Sequence, residues 1–190
     1  MDQGFRNTCL SIAATGGHEA LRLSVLLSSE HLHQSASARG GLTSTGATMG
    51  SISASIVSGG QCESHIWPYD PISPNPRPSA LGTLYHLASA LVLPFDLDVL
   101  RDEMEANRAV VVGLVRTRSF TSGTHRPIDL GPVQEPLDGR HAVVAVAFDD
   151  SRSTVTVKNS WGSAWGTAGY AQVSYPYLAR HGLQLMSLVL

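Results

Sequence analysis

The second half of this 190-residue sequence is patterned for β-strands, and the first half is not. Residues 109–115 form an unbroken apolar run, 141–148 are almost wholly apolar, and 153–158 alternate apolar and polar side chains. Runs of that length, rich in β-branched residues, are strand signals, and the alternation marks a strand covered on one face. Residues 169–175 and 183–190 read the same way. A sheet of such strands needs a cover, and the first 60 residues have helical character. One helix is expected to start near Cys9, with Thr8 or Asn7 as N-cap, and to run through Arg22. It carries Gly16 and Gly17, each costing roughly 1 kcal/mol, a cost that a close packing partner for the backbone would explain. Ser28, Ser29 and Glu30 open a second helix, and residues 49–58 form a third that stops at Gly59 and Gly60. Residues 35–45 read as a loop and 67–78, with their prolines, as an extended connector. Beyond it, Asp96 caps a further helix. Helices followed by strands predict an α+β fold in two lobes, residues 1–80 mainly helical and 81–190 β-rich.

Composition removes several classes of function. The net charge is −2 and no block of Lys or Arg stands out, which argues against a nucleic-acid or membrane-surface role. The longest apolar runs, 88–95 and 109–115, fall far short of the roughly 20 residues that span a bilayer. No signal-peptide pattern opens the sequence, so a cytoplasmic protein is the expectation, although an excised or secreted domain gives the same pattern. Two cysteines make no disulfide framework. No cofactor or metal is expected. His18 and Glu19 begin a zinc-protease pattern that needs a second histidine where Arg22 stands, and Gly40 and Gly41 lack the Lys-Ser/Thr of a phosphate loop. His31 and His33 would share one face of a strand without a third ligand, and read as a solvated surface pair. Cys62 reads as a buried structural thiol. His65, His86, His125 and His181 have no companions that suggest chemistry.

One constellation does suggest chemistry. A reactive cysteine needs a lowered thiol pKa, a base within reach and donors for a developing oxyanion. Cys9, at a helix start, has unpaired N–H groups and the helix dipole beside it. His141 opens one strand and Asn159 ends the next, so an antiparallel pairing brings the facing ends together.

At these residues the sequence resembles the papain-like cysteine peptidases. Gln3 and Gly4 precede Cys9 as a Gln-Gly pair precedes that family's nucleophile, and Arg140-His141-Ala142-Val143 is similar to its histidine strand. The segment Lys158-Asn159-Ser160-Trp161-Gly162-Ser163-Ala164-Trp165-Gly166, followed by Gly169-Tyr170, matches most closely. His141 and Asn159 follow Cys9 by 132 and 150 residues, near the roughly 130–150 typical of that family. Further similarities around Cys62 and at Tyr175-Pro176-Tyr177-Leu178 resemble compact bacterial members.

The resemblance implies a helical lobe and a β-barrel-like lobe with an active-site cleft between them. Cys9 would attack an acyl carbon as a thiolate paired with protonated His141. Gln3 and the Cys9 N–H would hold the oxyanion, Asn159 would orient His141, and Trp161 would shield that hydrogen bond; Trp165 reads as core. The implied activity is peptide-bond hydrolysis through a thioester. Transfer of the same acyl group to an amine (an amide ligase, cyclase or transglutaminase-like enzyme) is one alternative, and a catalytically idle peptide-binding module is another. The expected partners are a peptide or protein substrate and a separate inhibitor or pro-segment. The sequence departs from the family at Arg6, Asn7, Thr8 and Leu10. Arg6 stands where many relatives have a disulfide cysteine, so Cys62 has no partner there.

Overall fold

A computed structural model describes residues 2–44, 46–123, 126–131 and 135–190. Thr45 and His125 lie outside them. The helix expected at Cys9 is α1 (Cys9–Arg22), with Thr8 at the N-cap position. Helix α2 (Ser29–Ala38) follows, its first turn closed by the Ser28 hydroxyl, which accepts from the His31 N–H. Residues 35–45 are not all loop. Helix α2 continues to Ala38 because Ala36 buries its methyl completely, and β1 (Leu42–Thr43) pairs with β2 (Gly46–Ala47) as a short ribbon. Helix α3 (Met49–Ala54), capped by Thr48, runs on as a wider turn, Ser55–Gly59. It ends at Gly60, whose φ of +69° suits glycine.

Six antiparallel strands make the main sheet: β3 (Ser89–Pro94), β4 (Ala109–Thr117), β5 (Leu137–Asp149), β6 (Thr154–Lys158), β7 (Tyr170–Ser174) and β8 (Gly182–Val189). Their order is β3-β8-β4-β5-β6-β7. The last strand is therefore interior, second from the β3 edge, and it is held on both sides by strands from earlier in the chain. Helices α4 (Leu97–Glu105), α5 (Arg118–Ser122) and α6 (Tyr175–His181) connect them. Asp96 caps α4 by accepting from the N–H groups of Asp98 and Val99. Residue 175 was expected to end a strand, but it begins α6, because Ser174 caps that turn and Pro176 suits its first positions.

The sheet is apolar on both faces, which is why β4 reads as an unbroken apolar run. Val110, Val112 and Leu114 of β4 turn toward Phe120, Trp165 and Tyr177. Val111 turns the other way, into a cluster with Leu10, Ala14, Leu32, Ile52 and Leu188 contributed largely by α1–α3. Each large side chain buried in this way contributes about 1.5–3 kcal/mol. Of the two glycines of α1, Gly17 has a close packing partner, whereas a Cβ on Gly16 would meet only Val144 Cγ2 at an ordinary 3.8 Å. A Cβ on Gly17 would lie 2.8 Å from Leu188 Cδ1, so any larger residue there pushes α1 against a core leucine that is itself fully buried. Helix α1 thus sits directly on the sheet, and its first residue, Cys9, faces β5. Among the described residues no helix is long and apolar enough to cross a membrane.

Candidate active site

Helix α1, strand β5, the segment after β6 and the segment before α1 bring the sequence-predicted residues together. Cys9 begins α1 and remains half-exposed. His141 lies within β5, four residues after its start at Leu137, so it does not open that strand as expected; pairing with β4 extends β5 at its N-terminal end. The backbone hydrogen-bond donor of Ala142, next to His141, faces the Cys9 thiol, and Cys9 and His141 line the same groove. Asn159 directly follows β6, which pairs antiparallel with β5 through Val144 and Lys158.

Asn159 Oδ1 lies 2.6 Å from Nε2 of His141 and also accepts from the Ser160 N–H at 2.7 Å. The second contact fixes the first. A backbone N–H can only donate, so the Asn159 atom it meets is the oxygen, and Nε2 of His141 must be the protonated nitrogen. Neutral His141 therefore has Nδ1 as its acceptor. Trp161 covers this pair, with ring centroids 4.4 Å from His141, and Phe120 packs edge-on against both rings at 5.9 Å. Trp165 lies in the core and donates its indole N–H to the Phe120 carbonyl.

Gln3 bridges toward the strand-rich part of the chain. Its backbone N–H donates to the Ser160 carbonyl at 2.8 Å, and its Oε1 accepts from the Ser160 hydroxyl at 2.6 Å. Nε2 is therefore the end turned toward the Cys9 loop, where one of its hydrogens reaches the Arg6 carbonyl at 3.0 Å. Gly4, at φ +58°, packs so tightly that a Cβ would lie 2.4 Å from the Pro71 carbonyl oxygen. Only glycine fits that position.

Charge in the site departs from expectation. Burial pushes the Cys9 thiol up; the backbone donors of Ala142, Leu10 and Cys9, and the positive Arg116, oppose that only in part. Burial also pushes His141 down to about 4, against the hydrogen bond it donates to Asn159 and together with Arg116. Enclosure outweighs the helix terminus, so each group taken singly favours its neutral form. Thr8 shows a related departure. Its side chain makes no capping bond, because its hydroxyl is within 2.6 Å of the Tyr69 hydroxyl.

The other candidates are structural. His31 is on a helix, not a strand, and is buried, not solvated: it stacks on Trp67 and accepts from the Cys62 N–H. His33 bonds to the Ser11 hydroxyl. His18 is fully enclosed between Gln61 and Arg22. Cys62 is fully enclosed as well. Among the described residues no cluster of three or more His, Cys, Asp or Glu side chains is placed to hold a metal ion. Sequence reasoning missed Ser160, Tyr69 and Arg116 as parts of the site. Ser160 and Tyr69 stood inside segments that resemble the family, Tyr69 in the one that begins at Cys62; Arg116 carries no local signal.

The groove beside Cys9 has roughly 690 Å³ of open volume. Leu10, Ala47, Met49, Gly113 and Ala142 give it an apolar floor, with Thr43, Thr48 and Gln184 supplying polar groups.

Residues 93–184 match the family model described as papain family cysteine protease. An uncharacterized peptidase C1-like protein of Acanthamoeba polyphaga mimivirus is 30% identical over 139 residues, which are 65% of this chain and 45% of that protein. The chain thus spans less than half the length of that relative. Among solved structures, xylellain, a cysteine protease from Xylella fastidiosa, superposes with a TM-score of 0.85 at 20% identity, covering 99% of this chain and 81% of that one. The Carica candamarcensis cysteine protease CMS1MS2, solved in complex with E-64, superposes at 0.74 with 19% identity, covering 99% and 91%. The fold is papain-like, α+β, with helices and sheet arranged as in these enzymes.

Proposed function

We propose that this chain, whose residues 93–184 match the papain family model and whose fold is papain-like, is a cysteine peptidase of that family that cleaves peptide bonds through a thioester on Cys9. The observation that carries the reading is the oxygen of Asn159 shared by Ser160 N–H and His141 Nε2. It leaves Nδ1 of His141 as the proton acceptor for the thiol. Sγ attacks the carbonyl carbon as its proton passes to Nδ1. The oxyanion that forms is held by the Cys9 N–H and by the remaining Nε2 hydrogen of Gln3. The C–N bond then breaks as His141 returns the proton to the leaving amine. Water attacks the thioester, His141 takes its proton, and the thiol leaves protonated. Trp161 keeps water from the His141–Asn159 bond through these steps.

The substrate is a peptide with an apolar side chain seated in the Cys9 groove. An inhibitor or pro-segment would occupy the same groove; the Carica candamarcensis enzyme was solved in complex with E-64. The test is mass spectrometry of a peptide library incubated with the protein, with and without an added primary amine, alongside Cys9→Ala. New carboxyl termini that vanish in the variant support hydrolysis. Products that carry the amine even at low amine concentration assign acyl transfer instead, and an unchanged library overturns both.

A further inference from the structure

The segment that carries Gln3 and ends at Cys9 is held by a buried ion pair. Arg6 directs its guanidinium at the carboxylate of Glu30 on α2 as a two-pronged contact, with the second nitrogen at 2.9 Å. The Glu30 side chain is completely enclosed and that of Arg6 is 9% exposed. Glu30 also accepts from Gln34, and Arg6 also donates to the Asp70 carbonyl and lies 4.7 Å over the Tyr69 ring. The Tyr69 hydroxyl donates to the Gln3 carbonyl at 2.8 Å, so the Thr8 hydroxyl must donate to it. At the centre is the Arg6 carbonyl, which accepts from both Gln3 Nε2 and Thr8 N–H.

Stability alone does not call for such a pair. Taking two charges out of water costs several kcal/mol each, and well-packed apolar residues generally serve stability as well or better. A two-pronged Arg–carboxylate contact does give direction, which an apolar pair does not. Here the direction is passed on. Glu30 sets Arg6, the Arg6 carbonyl sets the Gln3 amide on one side and the Thr8 N–H at the head of α1 on the other, and Tyr69 ties the two ends.

We propose that Arg6, Glu30 and Tyr69 are positioning residues that hold the Gln3 amide and the Cys9 N–H in register for a developing oxyanion. The inference rests on acylation of Cys9 as proposed above, and not on the identity of the peptide. It separates two reactions of the same sulfur. Alkylation by iodoacetamide passes through no oxyanion, whereas acylation by p-nitrophenyl acetate does.

The experiment measures both rates at Cys9 in the wild type, Arg6→Met, Glu30→Gln, Tyr69→Phe and the double variant Arg6→Met/Glu30→Leu. Loss of a whole oxyanion donor typically costs about 10²–10³ in rate, and a displaced donor should cost about tenfold. Acylation is expected to fall about tenfold in each variant while alkylation stays within about twofold. The double variant is decisive because an apolar pair restores packing without direction: stability recovers and acylation does not. Recovery of acylation along with melting temperature, or a wild-type ratio of the two rates throughout, overturns the proposal. If Arg6→Met and Glu30→Gln do not fold, Tyr69→Phe and the double variant decide by the same ratio. Acetylation of wild-type Cys9 without cleavage of any peptide sinks only the peptidase reading, whereas failure of Cys9 to take the acetyl group sinks both.

Discussion

Nε2 of His141 and Oδ1 of Asn159 meet at 2.6 Å in a place where the two residues are only 5% and 7% exposed. Asn159 does not react in the proposed chemistry; it selects the ring orientation that presents Nδ1. Asn159→Ala removes the acceptor and leaves a buried N–H unpaired, which costs about 1–3 kcal/mol and lets the ring turn. The expected result is a fall in kcat of about ten- to a hundredfold with KM little changed. His141→Ala removes the base itself and should cost about 10²–10⁴. Steady-state kinetics of the two variants check the order, and a fully active His141→Ala enzyme would end the assignment.

The two thiols differ in access more than in charge. Burial pushes both upward, but Cys9 opens on the groove and Cys62 is fully enclosed. Iodoacetamide reaches Cys62 only through local opening. Cys9 is expected to label at least about a hundredfold faster under native conditions, with the two rates converging in denaturant. Peptide-level mass spectrometry over time reads this directly, and equal native rates contradict it.

Local chemistry is what the sequence made legible. Helix starts at Ser28, Thr48 and Asp96 rest on a side-chain oxygen next to the N–H groups it accepts from, so they were readable or nearly so from a few residues. The proposed set of Cys9, His141 and Asn159 stood out because Lys158–Gly166 is one continuous segment and the two spacings from Cys9 agree with it. What failed depended on distance along the chain. Glu30 and Arg6 are 24 residues apart, and nothing in either neighbourhood names the other. His31 looked like a solvated residue until Trp67, from the proline-rich connector, was seen stacked upon it. Helix α5 is only five residues long, fixed by the Thr117 cap and by Phe120 seated in the core, so its pattern is too short to read. The enclosure that pushes the Cys9 thiol up is not local either, since it comes from elements distant in sequence that pack over the head of α1.

Two buried histidines should make the protein sensitive to acid. Burial lowers both His18 and His141 from 6.5 to about 4, with the bonds they donate to the Gln61 and Asn159 side-chain oxygens acting in the opposite sense. Between those pH values the unfolded chain binds protons that the folded chain does not, so unfolding is favoured as pH falls. The stability is fully present above about pH 6.5 and is lost progressively toward pH 4, at up to about 1.4 kcal/mol per pH unit for each group. Melting temperature is therefore expected to rise from pH 4 to 6.5 and then level off. His141→Gln should flatten that rise, and a melting temperature independent of pH across the window would contradict the burial of both rings.

Gly113 tests the groove. It lies in β4 opposite Ala142 on one side and Gln184 on the other, and all three line the groove beside Cys9. A Cβ there would come within 2.8 Å of Met49 Cε, the flexible end of a long side chain that also lines the groove. Valine suits a strand interior, so Gly113→Val is expected to fold, with Met49 swinging into the space a substrate side chain would use. The loss should then depend on the size of that side chain. Peptides presenting leucine or phenylalanine should lose about 10–200-fold in kcat/KM, the scale set by one or two methylenes in an apolar pocket, while peptides presenting alanine change little. Alkylation of Cys9 by iodoacetamide reports that the nucleophile itself is intact. A uniform loss across all peptides would mean that Gly113 supports the catalytic strand and does not shape the pocket. Gly113→Ala, which adds the Cβ alone, should then show a small uniform loss, whereas shaping of the pocket requires an intermediate, size-dependent one.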